Sequence, residues 1–236
     1  LLFDLNTKAN TYNLAGKVTM SSVYDTKNTS GVSSSIYFAE TAGKIRYSLG
    51  ADHVSKDYDN NDLGINFLTN YYDFFSSANY RILKPTKVFN SFRVNLNSYM
   101  EFNNTSNHIQ DNNFNININS TTKKNHYFGL GFNFRPFESY DYYEARADNR
   151  YLILPEFQSV WFSVSTNYNY KFAIDINTEY AKVNEPGREN YYFTFSPRYR
   201  FNDKFSLVYS LSPSIQKNNI GRIDYLEDSD EIIIER

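Results

Sequence analysis

Long runs of strictly alternating apolar and polar residues constrain the fold of this chain more than any other feature of its sequence. From Phe172 to Tyr180, every second residue is apolar, aromatic or threonine, and Asp175, Asn177 and Glu179 occupy positions between them. Residues two positions apart lie on the same face of a β-strand, whereas a helix face recurs every three or four residues. The alternation therefore predicts amphipathic strands. Similar runs are found at 92–102, 128–134, 191–201 and 205–215.

These runs predict about twelve or thirteen strands, the last of them weakly marked. The strands are expected at residues 1–9, 12–25, 32–41, 44–57, 69–83, 88–104, 111–120, 125–135, 156–168, 171–183, 189–201, 204–217 and 222–234. Many exceed the length of about five or six residues that is typical of soluble strands, and they reach the roughly nine to eleven that a tilted strand needs to cross a bilayer. No stretch approaches about eighteen consecutive apolar residues, so the sequence contains no transmembrane helix.

The predicted connections alternate between short and long along the chain. The short ones are expected at 10–11, 41–43, 84–87, 121–124, 169–170 and 202–204. The long ones are expected at 26–31, 58–68, 105–110, 136–155, 184–188 and 218–221. Short turns at one rim and long loops at the other are typical of outer-membrane barrels, and a soluble β-sandwich has no reason to sort its connections in this way. The sequence therefore favours an all-β, antiparallel, up-and-down transmembrane outer-membrane β-barrel, with a soluble all-β domain as the alternative.

In such a barrel the apolar face of each strand meets lipid. The residues expected to face lipid include Phe172, Ile174, Ile176, Phe193, Phe195, Phe205 and Leu207. Aromatic residues next to the short turns are expected to form an interfacial girdle, because rings with a polar tip are favoured there. These are Tyr80, Tyr168, Tyr170, Tyr199 and Phe201.

Two prolines fall inside neighbouring predicted strands. Pro197 and Pro213 each remove one donor from the hydrogen-bond ladder. We expect a β-bulge in both strands, or a sheet edge, at these positions.

The direction of the first strand predicts that the chain is a slice of a larger barrel. Residues 1–9 lead into a short turn and so run toward the periplasm, whereas a complete barrel of this type starts there. We therefore interpret residues 1–236 as a single transmembrane β-barrel segment, an incomplete internal slice of a longer chain. The complete barrel is expected to have an even number of strands, at least about fourteen, and the first and last strands of the segment should not pair.

Three stretches resemble a family of Bacteroidota outer-membrane β-barrels of unknown function. They are Tyr58-Asp-Asn-Asn-Asp-Leu-Gly64, Asp141-Tyr-Tyr-Glu-Ala-Arg146 with Pro136 and Pro155, and Asp230-Glu-Ile-Ile-Ile-Glu-Arg236. The sequence departs from the family pattern at Ala145, where proline is usual, and at Glu235. The resemblance implies a large barrel that follows a periplasmic carbohydrate-binding, family 9-like domain. It supplies a location and an architecture but no activity.

One acidic loop is a candidate calcium site. Oxygen-bearing side chains alternate at Asp57, Asp59 and Asn61, with Asp62 beside them, and calcium prefers such oxygen ligands. The template of a calcium-binding EF-hand is broken, because Asp62 stands where glycine is required and Leu68 where glutamate is required. An ordinary Asn- and Asp-rich turn is the competing interpretation, and no other cofactor is expected.

The long loop at 136–155 is the candidate binding element. A connection of about twenty residues is typical of a functional or a disordered segment. The binding candidates are Tyr142, Tyr143, Glu144, Arg146 and Arg150. Its tyrosines offer surface for sugars or for a partner protein, and Glu144 is expected to pair with Arg146 or Arg150. Packing of the loop on itself by local ion pairs explains the same residues.

Charged residues on the polar faces are expected to line the lumen. These are Arg81, Arg93, Arg135, Arg198 and Arg200 with Asp52, Asp73, Glu101, Asp175 and Glu179. Such a lining would conduct small polar solutes, or its charges would neutralise one another and close it.

Composition excludes several classes of function. The formal net charge of −2 gives no basic surface typical of nucleic-acid binding, and the absence of cysteine excludes thiolate metal sites. The three histidines, His53, His108 and His126, have no spacing that suggests a catalytic partner, so no catalytic residue is predicted.

We therefore expect a component of the Gram-negative cell envelope. The chain would lie in the bacterial outer membrane as a non-enzymatic scaffold or interaction component, within a larger complex. Its partners would be outer-membrane lipid and lipopolysaccharide, and further envelope proteins or glycans. A porin-like transport pore for small polar solutes or glycans is the alternative, and a barrel-embedded enzyme is a remote one.

Overall fold

The alternating segments form strands in the computed structural model. The structure describes residues 1–24, 28–64, 68–82, 84–143, 150–225 and 232–235, with the backbone alone at Leu63, 221–225 and 232–235. The strands are β1 (Leu2–Asn6), β2 (Tyr12–Val23), β3 (Thr29–Glu40), β4 (Ile45–Val54), β5 (Tyr71–Ile82), β6 (Phe89–Asn103), β7 (Ile109–Thr122), β8 (Tyr127–Arg135), β9 (Ser139–Asp141), β10 (Leu152–Leu154), β11 (Phe157–Ser165), β12 (Phe172–Val183), β13 (Glu189–Asn202), β14 (Phe205–Val208), β15 (Ser214–Lys217), β16 (Gly221–Tyr225) and β17 (Ile232–Glu235). Within the described ranges, the helical structure is one 3₁₀ turn at Asn61–Leu63, and no helix is long and apolar enough to span a bilayer.

Thirteen of these strands form one sheet, in which most strands pair with the strand that precedes or follows them along the chain. The order runs from β1 to β8 and continues through β11, β12 and β13 to β14, while β15 also pairs with β13. Among the described residues no strand pair joins β1 to β14 or β15. The prediction of an all-β, antiparallel, up-and-down fold is confirmed, and most predicted strand bounds lie within a few residues of the observed ones.

The structure differs from the predicted strands in three places. The long loop contains a short hairpin, in which β9 pairs with β10. The predicted strand 204–217 is divided into β14 and β15. The weak strand at 222–234 is replaced by the hairpin β16–β17, in which Gly221 pairs with Glu235.

The two prolines affect the ladder differently, because Pro213 lies between β14 and β15 at the edge of the described sheet, as one of the two expectations held, whereas Pro197 lies within β13. β13 continues through Pro197, whose carbonyl accepts from the Tyr209 N–H at 3.1 Å, and the carbonyl of Pro213 accepts from the Phe193 N–H at 3.2 Å. The register shift of β13 lies between Arg200 and Asn202 rather than at Pro197. A proline keeps its carbonyl acceptor although it lacks a donor, so pairing can continue on both sides of it.

The large apolar side chains lie mainly at the surface. The buried apolar residues among those described are small: Ala39, Val54, Ala173, Ala181 and Val183. Large apolar side chains are exposed at alternate positions of one strand after another. Examples are Ile45, Tyr47 and Leu49 in β4, Phe128, Leu130 and Phe132 in β8, and Phe205 and Leu207 in β14. Of the residues expected to face lipid, Phe172, Phe193, Phe205 and Leu207 are exposed, and Ile174, Ile176 and Phe195 are half-buried.

The chain divides into two compact units. Unit 1 contains Leu1–Asn79, Leu96–Phe114 and Pro136–Leu154, and unit 2 contains Tyr80–Asn95, Asn115–Arg135 and Pro155–Arg236. The division therefore falls inside β5, β6 and β7.

Both units place an aromatic ring over a glycine. In unit 2, a Cβ at Gly131 would lie 2.3 Å from the indole of Trp161, its partner across β8 and β11. In unit 1, a Cβ at Gly50 would lie 2.1 Å from the ring of Phe75. Glycine is required at both positions because only a residue without a side chain leaves space for the ring.

Candidate functional site

The candidate functional site in unit 1 is built around a buried carboxylate of β6. Glu101 is 7% exposed, although charged side chains are rarely buried without a partner. The hydroxyl of Tyr99 donates to its Oε2 at 2.6 Å, and Nε2 of Gln110, on β7, donates to its Oε1 at 2.9 Å. The third donor comes from the long loop, because the Tyr143 hydroxyl donates to Oε1 at 3.3 Å. Three donors satisfy the carboxylate without a basic side chain.

Gln110 connects this carboxylate to the rest of the network. Its Nε2 also donates to the Tyr143 hydroxyl at 3.0 Å, and its Oε1 accepts from Nδ2 of Asn103 at 2.9 Å. Gln110 and Asn103 are both buried. Burial, followed by the charge of Glu101, raises the pKa of Tyr143 well above its ordinary range. Tyr143 therefore stays a neutral hydroxyl that can donate to the carboxylate.

A second contact fixes the backbone of the loop. Asn112 is 0% exposed, and its Nδ2 donates to the carbonyl of Phe137 at 2.9 Å while its Oδ1 accepts from the Phe137 N–H at 3.3 Å. The side-chain amide of Asn112 thereby pairs with both backbone groups of Phe137, as the backbone of a neighbouring strand would. Ser139, the first residue of β9, is also buried. The loop is thus anchored at its backbone and at Tyr143.

Aromatic rings pack around His108, in the connection between β6 and β7. The ring centroids of Tyr140 and His108 lie 4.4 Å apart, and Tyr151 meets both of them edge-on. The Tyr142 hydroxyl lies 3.0 Å from Nδ1 of His108 and 3.1 Å from Oγ of Ser106. We name His108, Tyr140, Tyr142 and Tyr151 the aromatic cluster. Tyr151 is its most exposed member, so the cluster is packed within itself and presents one ring outward.

A second buried carboxylate, Asp73 of β5, lies in the same unit. It is 4% exposed, and its Oδ1 has no hydrogen-bond partner. No group of three or more His, Cys, Asp or Glu side chains among the described residues is arranged to hold a metal. Among the buried polar residues described in this unit, the two that carry an ionisable group, Asp73 and Glu101, are both acidic.

The structure describes three of the five predicted loop residues. Tyr142 and Tyr143 both contact the β6–β7 hairpin, and Arg150 is exposed. Glu144 and Arg146 lie outside the described residues, and so does any ion pair of Glu144 with Arg146 or Arg150.

In unit 2, the charged residues that were predicted to line the lumen contact different groups. Asp175 accepts a short hydrogen bond from the Tyr168 hydroxyl, and the Arg198 guanidinium lies 4.9 Å from the centre of the Tyr168 ring. Arg200 donates to the carbonyl of Asn169 at 2.7 Å. Tyr168 lies beyond the end of β11 at Ser165, beside the turn to β12, and its side chain is exposed.

The other predicted lining residues of this unit have varied surroundings, and the Arg135 guanidinium lies 5.6 Å from the centre of the Phe157 ring. Nε and Nη2 of Arg81 are buried without a hydrogen-bond partner, whereas Arg93 is exposed. Glu179 is half-buried and lies across from Trp161 on β11 and Tyr192 on β13.

The candidate calcium residues form a turn. The carboxylate of Asp59 accepts from the Asn61 N–H at 2.9 Å, and the Asp59 N–H donates to Oγ of Ser21 at 2.9 Å. Asp57, Asn61 and Asp62 are exposed. This geometry is typical of an Asx-turn, which supports the competing interpretation of the segment.

Sequence reasoning missed the amides that hold the loop. Asn103, Gln110 and Asn112 lie in a stretch rich in asparagine, which resembles a solvated connection. Amide side chains are usually exposed, so composition alone gives no signal of their burial. The one available signal is that Gln110 and Asn112 have the alternate spacing of a strand face.

Comparison with known proteins identifies the family of this chain. The model of the family described as domain of unknown function (DUF5916) matches residues 1–236. No curated protein and no solved structure matches the chain at a significant level.

Proposed function

The chain belongs to the DUF5916 family of domains of unknown function, and we propose that it forms an outer-membrane β-barrel segment in Bacteroidota. In this proposal it serves the cell envelope as a non-enzymatic scaffold or interaction component, and the anchored loop is its contact surface.

The observation that carries the proposal is the alternate exposure of large apolar side chains along an antiparallel sheet of thirteen strands. A monomeric soluble protein rarely exposes a contiguous apolar patch beyond a few hundred Å². In a bilayer the same face is favourable, because apolar side chains that contact lipid stay out of water. The small buried apolar residues also leave little that would serve as the core of a soluble sandwich.

The anchored loop supports an interaction role. Tyrosine offers a large amphipathic contact area at low entropic cost, and a loop that is already ordered loses less entropy when it binds a partner. The buried bonds of Asn112 and Tyr143 provide this order.

A row of amides on β6 and β7 favours the alternative of a transport pore. In unit 2, Nδ2 of Asn95 and Nδ2 of Asn119 both donate to Oδ1 of Asn117, at 2.6 and 2.9 Å. A lining of neutral amides would suit uncharged polar solutes, because it can exchange hydrogen bonds with their hydroxyl groups.

The single tryptophan allows a direct test of membrane orientation. Trp161 lies on the same face of β11 as Ser159 and Ser163, whereas its neighbour Phe162 is 41% exposed on the other face. The chain should be folded into vesicles whose acyl chains carry bromine, which quenches tryptophan fluorescence on contact. We expect strong quenching of F162W in a W161F background and weak quenching of Trp161 itself. Equal quenching of both, or none of either, would contradict the membrane proposal.

Conductance across a planar bilayer separates the two candidate functions. A scaffold should give no stepwise current, whereas a pore should give one that depends on solute size. Deletion of residues 139–152 should leave assembly intact and alter partner binding in the first case, or conductance in the second. If the deletion alters neither, the functional role of the loop is wrong.

A further inference from the structure

Positive charge is concentrated at the turns of unit 2. We name residues 84–88, 123–126, 166–171 and 203–204 the turn rim; they connect β5 to β6, β7 to β8, β11 to β12, and β13 to β14. Its charged residues are six lysines and one aspartate: Lys84, Lys87, Lys123, Lys124, Lys171, Lys204 and Asp203. All six lysines are exposed, and none forms an ion pair with another residue that the structure describes. The rim therefore carries an uncompensated positive charge.

Hydrogen bonds join the first three turns to one another and the third turn to β13, which leads into the fourth. The N–H of Lys123 donates to the carbonyl of Val88 at 3.1 Å, which connects the second turn to the first. Nδ2 of Asn167 donates to the carbonyl of Lys124 at 2.8 Å, and this connects the third turn to the second. The N–H of Arg200, at the end of β13, donates to the carbonyl of Lys171 at 2.7 Å. The lysines are thus held side by side on a fixed backbone.

Exposed aromatic side chains flank these lysines. They are Tyr80, Tyr168, Tyr170, Phe172, Phe201 and Phe205. A basic surface by itself attracts any polyanion. A basic surface bordered by exposed rings fits the headgroup level of a bilayer, where aromatic rings and cationic side chains are both favoured.

We propose that the turn rim binds the phosphate groups of anionic phospholipids in the leaflet that the turns face. The inference rests on the proposed membrane location and adds a lipid preference to it. Each lysine near the surface of a charged bilayer attracts the anionic headgroups, and several on one rim act together. The occupant is therefore a lipid headgroup, and a soluble acidic polymer is the competing possibility.

The test measures which lipid surrounds the rim. A tryptophan reporter at Phe172 (F172W) in a W161F background lies directly after Lys171 and is exposed in the native residue. The protein is folded into phosphatidylcholine vesicles that contain a minority of phosphatidylglycerol, and bromine is placed on the acyl chains of one lipid at a time. The ratio of quenching by the two lipids gives the preference of the rim for the anionic headgroup.

We expect a preference for phosphatidylglycerol of about fivefold or more, because about fivefold is the attraction expected from one lysine near a charged surface. It should decrease, but stay above one, in the variant K87Q/K123Q/K124Q, because Lys84, Lys171 and Lys204 remain. It should also fall when salt rises from about 0.1 M to about 1 M, because the Debye length then drops from about 10 Å to about 3 Å. The matched control K56Q/K182Q/K217Q removes three exposed lysines outside the rim and should keep the preference.

Three results would overturn the inference. One is equal quenching by both lipids in the unmodified rim, and another is an equal loss of preference in the control variant. A third is salt-sensitive binding of soluble polyglutamate with no enrichment of phosphatidylglycerol, which would assign the rim to an acidic macromolecule. Quenching by neither lipid would instead remove the membrane proposal itself, so the two failures are distinguishable.

Discussion

The segments around β6 and β7 carry opposite charges in the two units. In unit 1, residues 96–114 hold Glu101 and Asp111 and no lysine or arginine. In unit 2, residues 80–95 and 115–135 hold seven lysines and arginines and no aspartate or glutamate. The acidic part is buried under a loop that donates neutral hydrogen bonds, whereas the lysines of the basic part remain exposed. Only Arg93 of the seven basic residues lies within β6 or β7, so the exposed positive charge of unit 2 belongs mainly to the turns that adjoin these strands.

The amides of the two units also have different partners. In unit 1, the amide of Asn112 satisfies a backbone donor and a backbone acceptor of the loop. In unit 2, the amide of Asn95 donates to another side chain, Asn117. A buried backbone group that loses its partner is costly, whereas one side chain in a row can be replaced by a neighbour. The comparison therefore predicts large effects of substitutions in unit 1 and small effects in the amide row.

The largest effect is expected for Asn112→Leu. The change keeps a similar volume but leaves the N–H and the carbonyl of Phe137 without partners, at about 1–3 kcal/mol for each group. We expect docking of the loop to weaken by about 3 kcal/mol, measured by hydrogen exchange at the Phe137 amide. Asn112→Asp keeps the acceptor and should show an intermediate loss. Unchanged exchange in the leucine variant would mean that this contact does not anchor the loop.

The next effect tests a feature that the units share. Gly131→Val places side-chain atoms where the Trp161 indole lies, and overpacking of this kind costs about 1–3 kcal/mol. Gly50→Val should cost a similar amount through Phe75. The free energy of unfolding can be followed by Trp161 fluorescence during denaturant titration in lipid. If Gly131→Val and Gly50→Val are both neutral, the rings do not require these glycines.

A smaller effect is expected for Tyr143→Phe. The hydroxyl of Tyr143 donates to Glu101 and accepts from Gln110, but Glu101 keeps its bonds to Tyr99 and Gln110. We expect loss of about 1.5 kcal/mol in loop docking, as for one hydrogen bond to a charged group. Because the chain has no cysteine, a single spin label at Arg150→Cys can report loop mobility. A label at Lys56→Cys serves as the control and should not change.

The same label tests the pH dependence of the contact. The pKa of Tyr143 is raised by burial and by Glu101, so the neutral hydroxyl is favoured in the folded state. Its contribution is fully present below the ordinary tyrosine pKa of about 10 and is lost as pH rises through the higher folded value. The loop should therefore stay ordered up to about pH 10 and become mobile only above it. In the Tyr143→Phe variant this alkaline step should disappear, and a step that persists would have to come from another group.

The sequence predicts the strands well because alternation is a local property. Runs such as 172–180 specify their own faces, and β12 is observed at Phe172–Val183. The alternation also predicts that Phe172 and Phe193 lie on an exposed apolar face, although it does not say what covers that face.

The candidate site is predicted less well because its contacts join distant residues. Tyr143 and Glu101 are 42 residues apart, and nothing in the loop composition identifies β6 and β7 as its docking surface. The predicted loop tyrosines are in the site, but their partners Gln110 and Asn112 are amides that look like solvated residues.

The smallest effect is expected for Asn95→Leu, and it is the sharpest test of the comparison. The substitution removes one donor to Oδ1 of Asn117, but that oxygen still accepts from Nδ2 of Asn119 at 2.9 Å. No buried acceptor loses its last partner, so the cost should be that of one ordinary hydrogen bond, about 0.5–1 kcal/mol. Denaturant titration in lipid should therefore separate it clearly from Asn112→Leu measured by hydrogen exchange. A cost near 3 kcal/mol would mean that the amide row is as tightly coupled as the loop anchor. The two units would then differ in charge but not in how their amides hold the fold.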